Sequence, residues 1–184
     1  KDFALSEIPA DDVEARAAVK AAIEMEGPVY LRFGRLAAPI FNDPETYQFE
    51  IGKGITLREG KDVTLVATGL MVSEALDAAE QLAAGGISAR VLNIHTIKPL
   101  DVDLIAKAAA ETGLLITVEE HSIIGGLGAA VAEAVCDTCP VPVVRIGVND
   151  EYGHSGPAVD LLKEFGLCAE HIVEVTKASM AKKA

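Results

Sequence analysis

From residue 54 onward, short apolar runs alternate with alanine-rich amphipathic stretches, and glycine or proline punctuates nearly every junction. Asp62–Gly69, Ala89–Ile94 and Leu114–Glu119 are apolar at consecutive positions rather than at every second one. Such runs are strands covered on both faces, as in a parallel sheet between two helical layers. The stretches between them read as helices. Ser73–Ala84 is closed by Gly85-Gly86, and Asp101 caps a helix that runs to Glu111 and stops at Gly113. A glycine-rich turn opens a helix ending near Val135, and Val141–Ile146 is a further strand. Pro157 lies in the first turn of a helix to Phe165, and a last helix starts near Ala169. The fold class that follows is a three-layer α/β/α sandwich with a five-stranded, mostly parallel sheet. The segment 54–59 reads as a short strand. The tight Glu59-Gly60-Lys61-Asp62 turn after it predicts an antiparallel hairpin with the strand that follows.

The first fifty residues follow another pattern. Asp11 and Glu14 have capping-box spacing, and Val13, Ala17, Ala21 and Ile23 form a helical stripe that Gly27-Pro28 ends. Val29–Phe33 reads as a strand. Residues 36–50 carry Pro39, Pro44, Asn42 and Asp43 with no period, as in a linker. The expected division is therefore 1–48 and 49–184.

Sixteen Lys and Arg stand against 28 Asp and Glu, a net charge of −12. That balance repels a nucleic-acid backbone, yet one local arginine can still hold a small phosphorylated substrate. The longest apolar runs, such as Leu114–Val118, fall far short of the ~20 residues that a membrane span needs. Acidic Asp2 and Glu7 argue against a signal peptide, and with three cysteines the expected compartment is the cytoplasm. Cys136 and Cys139 have C-x-x-C spacing, but they lack a second pair for zinc and sit at a helix end, where no dipole activates a thiol.

Few constellations carry chemistry. Gly125, Gly126 and Gly128 form a strand-to-helix turn whose amides can meet an anion, or whose small size serves tight packing or a subunit contact. Glu119, Glu120 and His121 lie at the carboxyl end of a strand, where open α/β sheets place ligands. Neighbours on a strand face opposite ways, so the two carboxylates need not converge, and a hydrogen-bonded contact is favoured over acid–base work. Arg32 and Arg35 flank Gly34 and can grip a phosphate bidentately or form structural ion pairs. His95 and His171 read as packed or solvated. His154 and Ser155 are no triad, and Ser155 reads as a helix cap.

Six stretches occur in one order: Gly27–Arg35, Ile51–Gly54, Ala67–Gly69, Ile94–Leu100, Glu119–Gly128 and Val148–Asp150. Together they resemble the C-terminal half of transketolase, above all the C-terminal subunit of transketolases split into two chains. The resemblance implies a thiamine-diphosphate enzyme that transfers a two-carbon ketol unit between sugar phosphates with Mg²⁺ or Ca²⁺, at a site between the subunits of a homodimer. It assigns residues 49–184 to the C-terminal domain and 1–48 to the tail of the pyrimidine-binding domain. It implies an N-terminal section as partner, holding diphosphate and metal. It expects no cofactor on this chain alone, no catalytic residue within it, and no activity in isolation. One site residue carries over: Arg35 resembles an arginine that binds the substrate phosphate. Lys1–Glu7 departs from the family by a shortened connection, and His154 stands where relatives often carry glutamate. Deoxyxylulose-phosphate synthase and the pyruvate dehydrogenase beta subunit share this domain, although the Ile94–Pro99 and Gly34–Ala37 wording favours split transketolase. A free-standing module that binds an anion at Gly125–Gly128 is the reading of another class. If 1–48 is only a domain tail, the strand at 29–33 lacks its sheet, and the expectation is a segment that is mobile or packed on a neighbouring molecule.

Overall fold

A computed structural model describes residues 5–183, so the first four positions of the departure read at Lys1–Glu7 lie outside the described residues. In chain order the elements are β1 (Leu5–Glu7), α1 (Asp12–Glu24), β2 (Val29–Leu31), β3 (Ile55–Arg58), β4 (Val63–Ala67), α2 (Met71–Ala84), β5 (Ala89–Asn93) and β6 (Thr96–Lys98). They continue as α3 (Val102–Thr112), β7 (Leu115–Ser122), α4 (Leu127–Thr138), β8 (Val143–Val148), α5 (Ala158–Glu164) and α6 (Ala169–Lys183).

The larger sheet has the order β3-β5-β4-β7-β8, with β5, β4, β7 and β8 parallel and β3 antiparallel. Side-chain parity divides the core in two. Leu65, Ala67, Ile116 and Val118 face α2 and α6, while Val66, Leu92 and Leu115 face α3 and α4. The three-layer sandwich is thus present. The cap assignments at Asp11 and Asp101 also hold: Asp11 accepts the Glu14 amide at 2.9 Å, and Asp101 accepts that of Leu104 at 3.2 Å.

The hairpin expected at 54–67 is not there. β3 pairs with β5, not with β4. The turn reverses the chain as the sequence predicts, but it crosses the start of β5 before entering β4. Lys61 and Asp62 donate their amides to the Ser88 carbonyl, and the Asp62 carboxylate accepts the Ser88 amide at 2.7 Å. Gly60 lies flat on the backbone of Ala89 and Arg90.

The strand at 29–33 is shorter than expected and is not left alone. β2 pairs in parallel with β1, and β1 pairs antiparallel with β6, giving a second sheet of order β2-β1-β6. The missing hydrogen-bond partners come from within the chain, through β6. Ser155 does not cap the helix that follows: Pro157 occupies the position before α5.

Candidate functional site

In an open α/β sheet the ligand crevice lies at the carboxyl ends of the strands where strand order reverses, here between β4 and β7. The chain fills that crevice itself. The Thr68 hydroxyl donates to the Ile8 carbonyl at 3.4 Å, Ala10 is buried, and a side chain on Gly69 would meet Ile8 at 2.8 Å. The open space lies further along the same edge. A cavity of about 620 Å³ is walled by Val148 from the end of β8 and by Leu161, Leu162, Phe165 and Leu167 from α5 and the turn behind it. Its charged groups are Arg35 and Glu120.

Parity explains why Glu120 reaches this cavity and Glu119 does not. Glu119 points to the α3–α4 side and is 1% exposed. Its two oxygens accept the amides of Leu127 and Gly128, each at 2.8 Å. Burial raises its pKa, while the two amides and the charges of His121 and Arg145 lower it. The amides at the α4 N-terminus are therefore already taken by a carboxyl group of the chain's own. Gly126 is required by this contact, because a Cβ there would fall 1.9 Å from the Glu119 Oε2. An external anion at Gly125, Gly126 and Gly128 would have to compete with Glu119. Glu119→Gln leaves one amide of α4 facing an NH₂ group instead of an oxygen. The expected cost is about 1–3 kcal/mol of stability, read from urea unfolding.

Arg32 and Arg35 have different surroundings. The Arg32 Nη2 donates to the Glu120 carbonyl at 2.8 Å and lies 4.0 Å from the Glu120 carboxylate. Arg35 is exposed at the cavity wall, and among the described residues it makes no ion pair or side-chain hydrogen bond. Its fork of donors is free for an anion. His121 is exposed beside Ser122, and His154 is bonded to Glu164 at 2.6 Å on the surface.

One polar cluster escaped the sequence reading. Glu14, buried under α1, accepts the Tyr47 hydroxyl at 2.5 Å, the Asn93 amide at 2.8 Å and the Ala10 backbone amide at 2.7 Å. Glu7 is fully buried, and both of its carboxylate oxygens lack a hydrogen-bond partner among the described residues. Burial, then repulsion from Glu14, pushes its pKa up to about 7. His95, stacked near Phe49 at 4.3 Å, is held neutral, its pKa lowered to about 4 by burial. The only sequence signal was Leu5-Ser6-Glu7, an alternation in which the carboxylate takes an inward position. Glu7, Glu14, Asn93 and His95 are buried, and Tyr47 is half-buried at the edge of the cluster; none of these five lines the cavity that holds Arg35.

The described residues do not fit a metal–diphosphate pair. Among the described residues, no group of three or more His, Cys, Asp or Glu side chains is arranged to hold a metal ion, and the glycine turn's amides serve Glu119. No helix among them is long and apolar enough to cross a membrane.

The family model described as "Transketolase, C-terminal domain" matches residues 52–172. A 6-deoxy-6-sulfo-D-fructose transketolase subunit of Clostridium sp. (strain MSTE9) is 48% identical over 165 residues, which is 90% of this chain and 51% of that protein. A 1-deoxy-D-xylulose-5-phosphate synthase of Heliobacterium modesticaldum is 41% identical over 92% of this chain and 26% of its own length. Among solved structures, a split gene transketolase described as an inactive beta4 tetramer superposes with a TM-score of 0.92 at 47% identity, over 96% of this chain and 58% of that one. The chain thus spans about half the length of the split-type proteins it matches. The matched fold, the matched residues and the extent of identity show that the chain belongs to the transketolase C-terminal domain family.

Proposed function

We propose that this chain is the C-terminal part of a split-type, thiamine-diphosphate-dependent transketolase that moves a two-carbon ketol unit between sugar phosphates. An N-terminal section supplies the metal and diphosphate site; among the described residues of this chain no group of His, Cys, Asp or Glu side chains is arranged to hold the metal. When bound there, the cofactor supplies the carbanion chemistry of ketol transfer. On this reading residues 1–48 are the tail of the pyrimidine-binding domain, residues 49–184 are the C-terminal domain, and the enzyme is a cytoplasmic homodimer. The chain contributes binding rather than chemistry. Arg35 grips the phosphate, and the apolar wall from Val148 to Leu167 keeps water away from that contact. The carrying observation is the uncommitted guanidinium of Arg35 beside the 620 Å³ cavity. The anion-ended sugar in the name of the Clostridium relative supports it. We read the Gly125–Gly128 turn, with Ile124 61% exposed beside it, as part of a subunit contact rather than as an anion site.

The test mixes the chain with thiamine diphosphate, Mg²⁺ and a ketose–aldose phosphate pair, with and without an N-terminal section. Ketol transfer is expected only with both parts, and turnover by the chain alone would overturn this division of roles. In the assembled enzyme, Arg35→Ala is expected to lower kcat/KM for a phosphorylated donor, relative to its unphosphorylated counterpart, by about tenfold or more, the worth of a charge-assisted hydrogen bond. The identity with the deoxyxylulose-phosphate synthase carries the second reading. Pyruvate outperforming a ketose phosphate as donor would favour it.

A further inference from the structure

Arg35 rides on a strap. From Phe33 to Ile40 the chain makes no hydrogen bond among the described residues. Among the described residues, the hydrogen bonds that hold the strap lie at its two ends. At the far end, the Asp11 Oδ2 accepts the amides of Phe41 and Asn42 at 3.1 and 2.9 Å. At the near end, Arg32 donates its backbone amide to the Glu7 carbonyl at 3.0 Å and its guanidinium to the Glu120 carbonyl. Gly34 sits between the two arginines with nothing within 4 Å of where a Cβ would be, so packing does not restrain Arg35 there.

Glu120 complicates this arrangement. Glu120 lines the same cavity as Arg35 and is the one acidic residue among the cavity's lining residues, so it is the internal competitor for that guanidinium. What stands against the competition is Arg32, whose Nη2 lies 4.0 Å from the Glu120 Oε2 while it bonds the carbonyl of the same residue. One guanidinium thus engages both the backbone and the side chain of Glu120.

We propose that Arg32 is a positioning residue: it engages the Glu120 carboxylate and so leaves Arg35 free for the anionic end of the substrate. The inference rests on the reading of Arg35 given above and adds a residue through which that arginine is kept available. Without the Arg32 charge, Glu120 pairs with Arg35 across the cavity, and an incoming phosphate must displace it.

The test is equilibrium binding of fructose 6-phosphate and of fructose to the full chain by calorimetry, reported as the preference for the phosphorylated sugar. Arg32→Gln still donates to the Glu120 carbonyl but has no charge. The preference is expected to fall about threefold to fivefold, the scale of a partly exposed ion pair. Adding Glu120→Gln to Arg32→Gln is expected to restore it to within about twofold of the parent, because the competitor is then gone. Should Arg32→Gln fold poorly by thermal melt, Arg32→Met, which also lacks the charge, paired with the same Glu120→Gln addition carries the comparison. An unchanged preference in Arg32→Gln overturns the proposal, as does a fall that Glu120→Gln leaves in place, since that is the mark of simple scaffolding. Failure of the underlying reading looks different: Arg35→Ala then shows the parent's preference.

Discussion

Gly60→Ala is expected to unfold the chain at markedly lower urea, with a loss of about 4 kcal/mol or more. The added Cβ would lie 2.2 Å from the Ala89 carbonyl carbon and from the Arg90 nitrogen, and 2.6 Å from the Ala89 oxygen. These are backbone atoms, so no rotamer change relieves the contact. Neither strand can step aside. β5 is held on one side by β3 and on the other by β4, and the turn is lashed to the Ser88 carbonyl by two amides. Gly153→Ala is the control, because nothing lies within 4 Å of its Cβ position, and it is expected to stay within about 0.5 kcal/mol of the parent. Equal midpoints for both variants would mean that the chain does not cross β5, and would return the β3–β4 hairpin to consideration.

The second large effect concerns Glu7 and depends on pH. A buried carboxyl with a pKa near 7 binds its proton more tightly folded than unfolded, where the value is 4.5. Its contribution is therefore whole below pH 4.5 and is lost as pH rises to about 7, after which the loss is complete. The gap corresponds to roughly 3 kcal/mol. Glu7→Met removes the ionisable group and keeps the volume. The variant is expected to gain on the parent steadily from pH 4.5 to 7, and then to hold that advantage. The difference curve is the right observable. His95 acts with the opposite sign in the parent, losing stability as pH falls from 6.5 toward 4. Glu14, raised by burial, acts with the same sign as Glu7. Urea unfolding of both proteins at pH 5, 6, 7 and 8 measures the curve. A flat difference across that range would show that Glu7 gives up its proton in the fold as readily as out of it.

The parts of the fold that were legible are those where one residue type decides locally. Consecutive apolar residues in Val63–Ala67 and Leu115–Val118 required cover on both faces, and Asp11, Asp101 and Gly113 marked helix ends by chemistry at a single turn. What was not legible is pairing at a distance. The Glu59–Asp62 turn fixes the direction of two strands but says nothing of a third strand passing between them. β1 and β6 are three residues each, too short for a period to show, and Glu7 masks the inward face of β1. At the site, alternation along β7 announced that Glu119 and Glu120 diverge. It could not announce that the first would occupy the amides of α4 or that the second would meet Arg32, 88 residues away. The spacing around Gly34 singled out Arg32 and Arg35 together, and only the resemblance preferred Arg35, since an exposed arginine after a strand has no local signature.

The Ile8–Ala10 segment in the crevice between β4 and β7 changes what this scaffold offers to redesign. In other open α/β proteins the switch point is a vacancy, and loops around it can be exchanged to admit new ligands. Here it is a seam between two sheets, closed by Ala10 and by the contact of Gly69 with Ile8. Enlarging the residues that border it would pry the β2-β1-β6 sheet from its base before it made room for any molecule. The strap with Arg35 would move with that sheet. New specificity in this chain is therefore better sought along the α5 wall, where Val148, Leu161 and Leu162 can be varied without opening the seam.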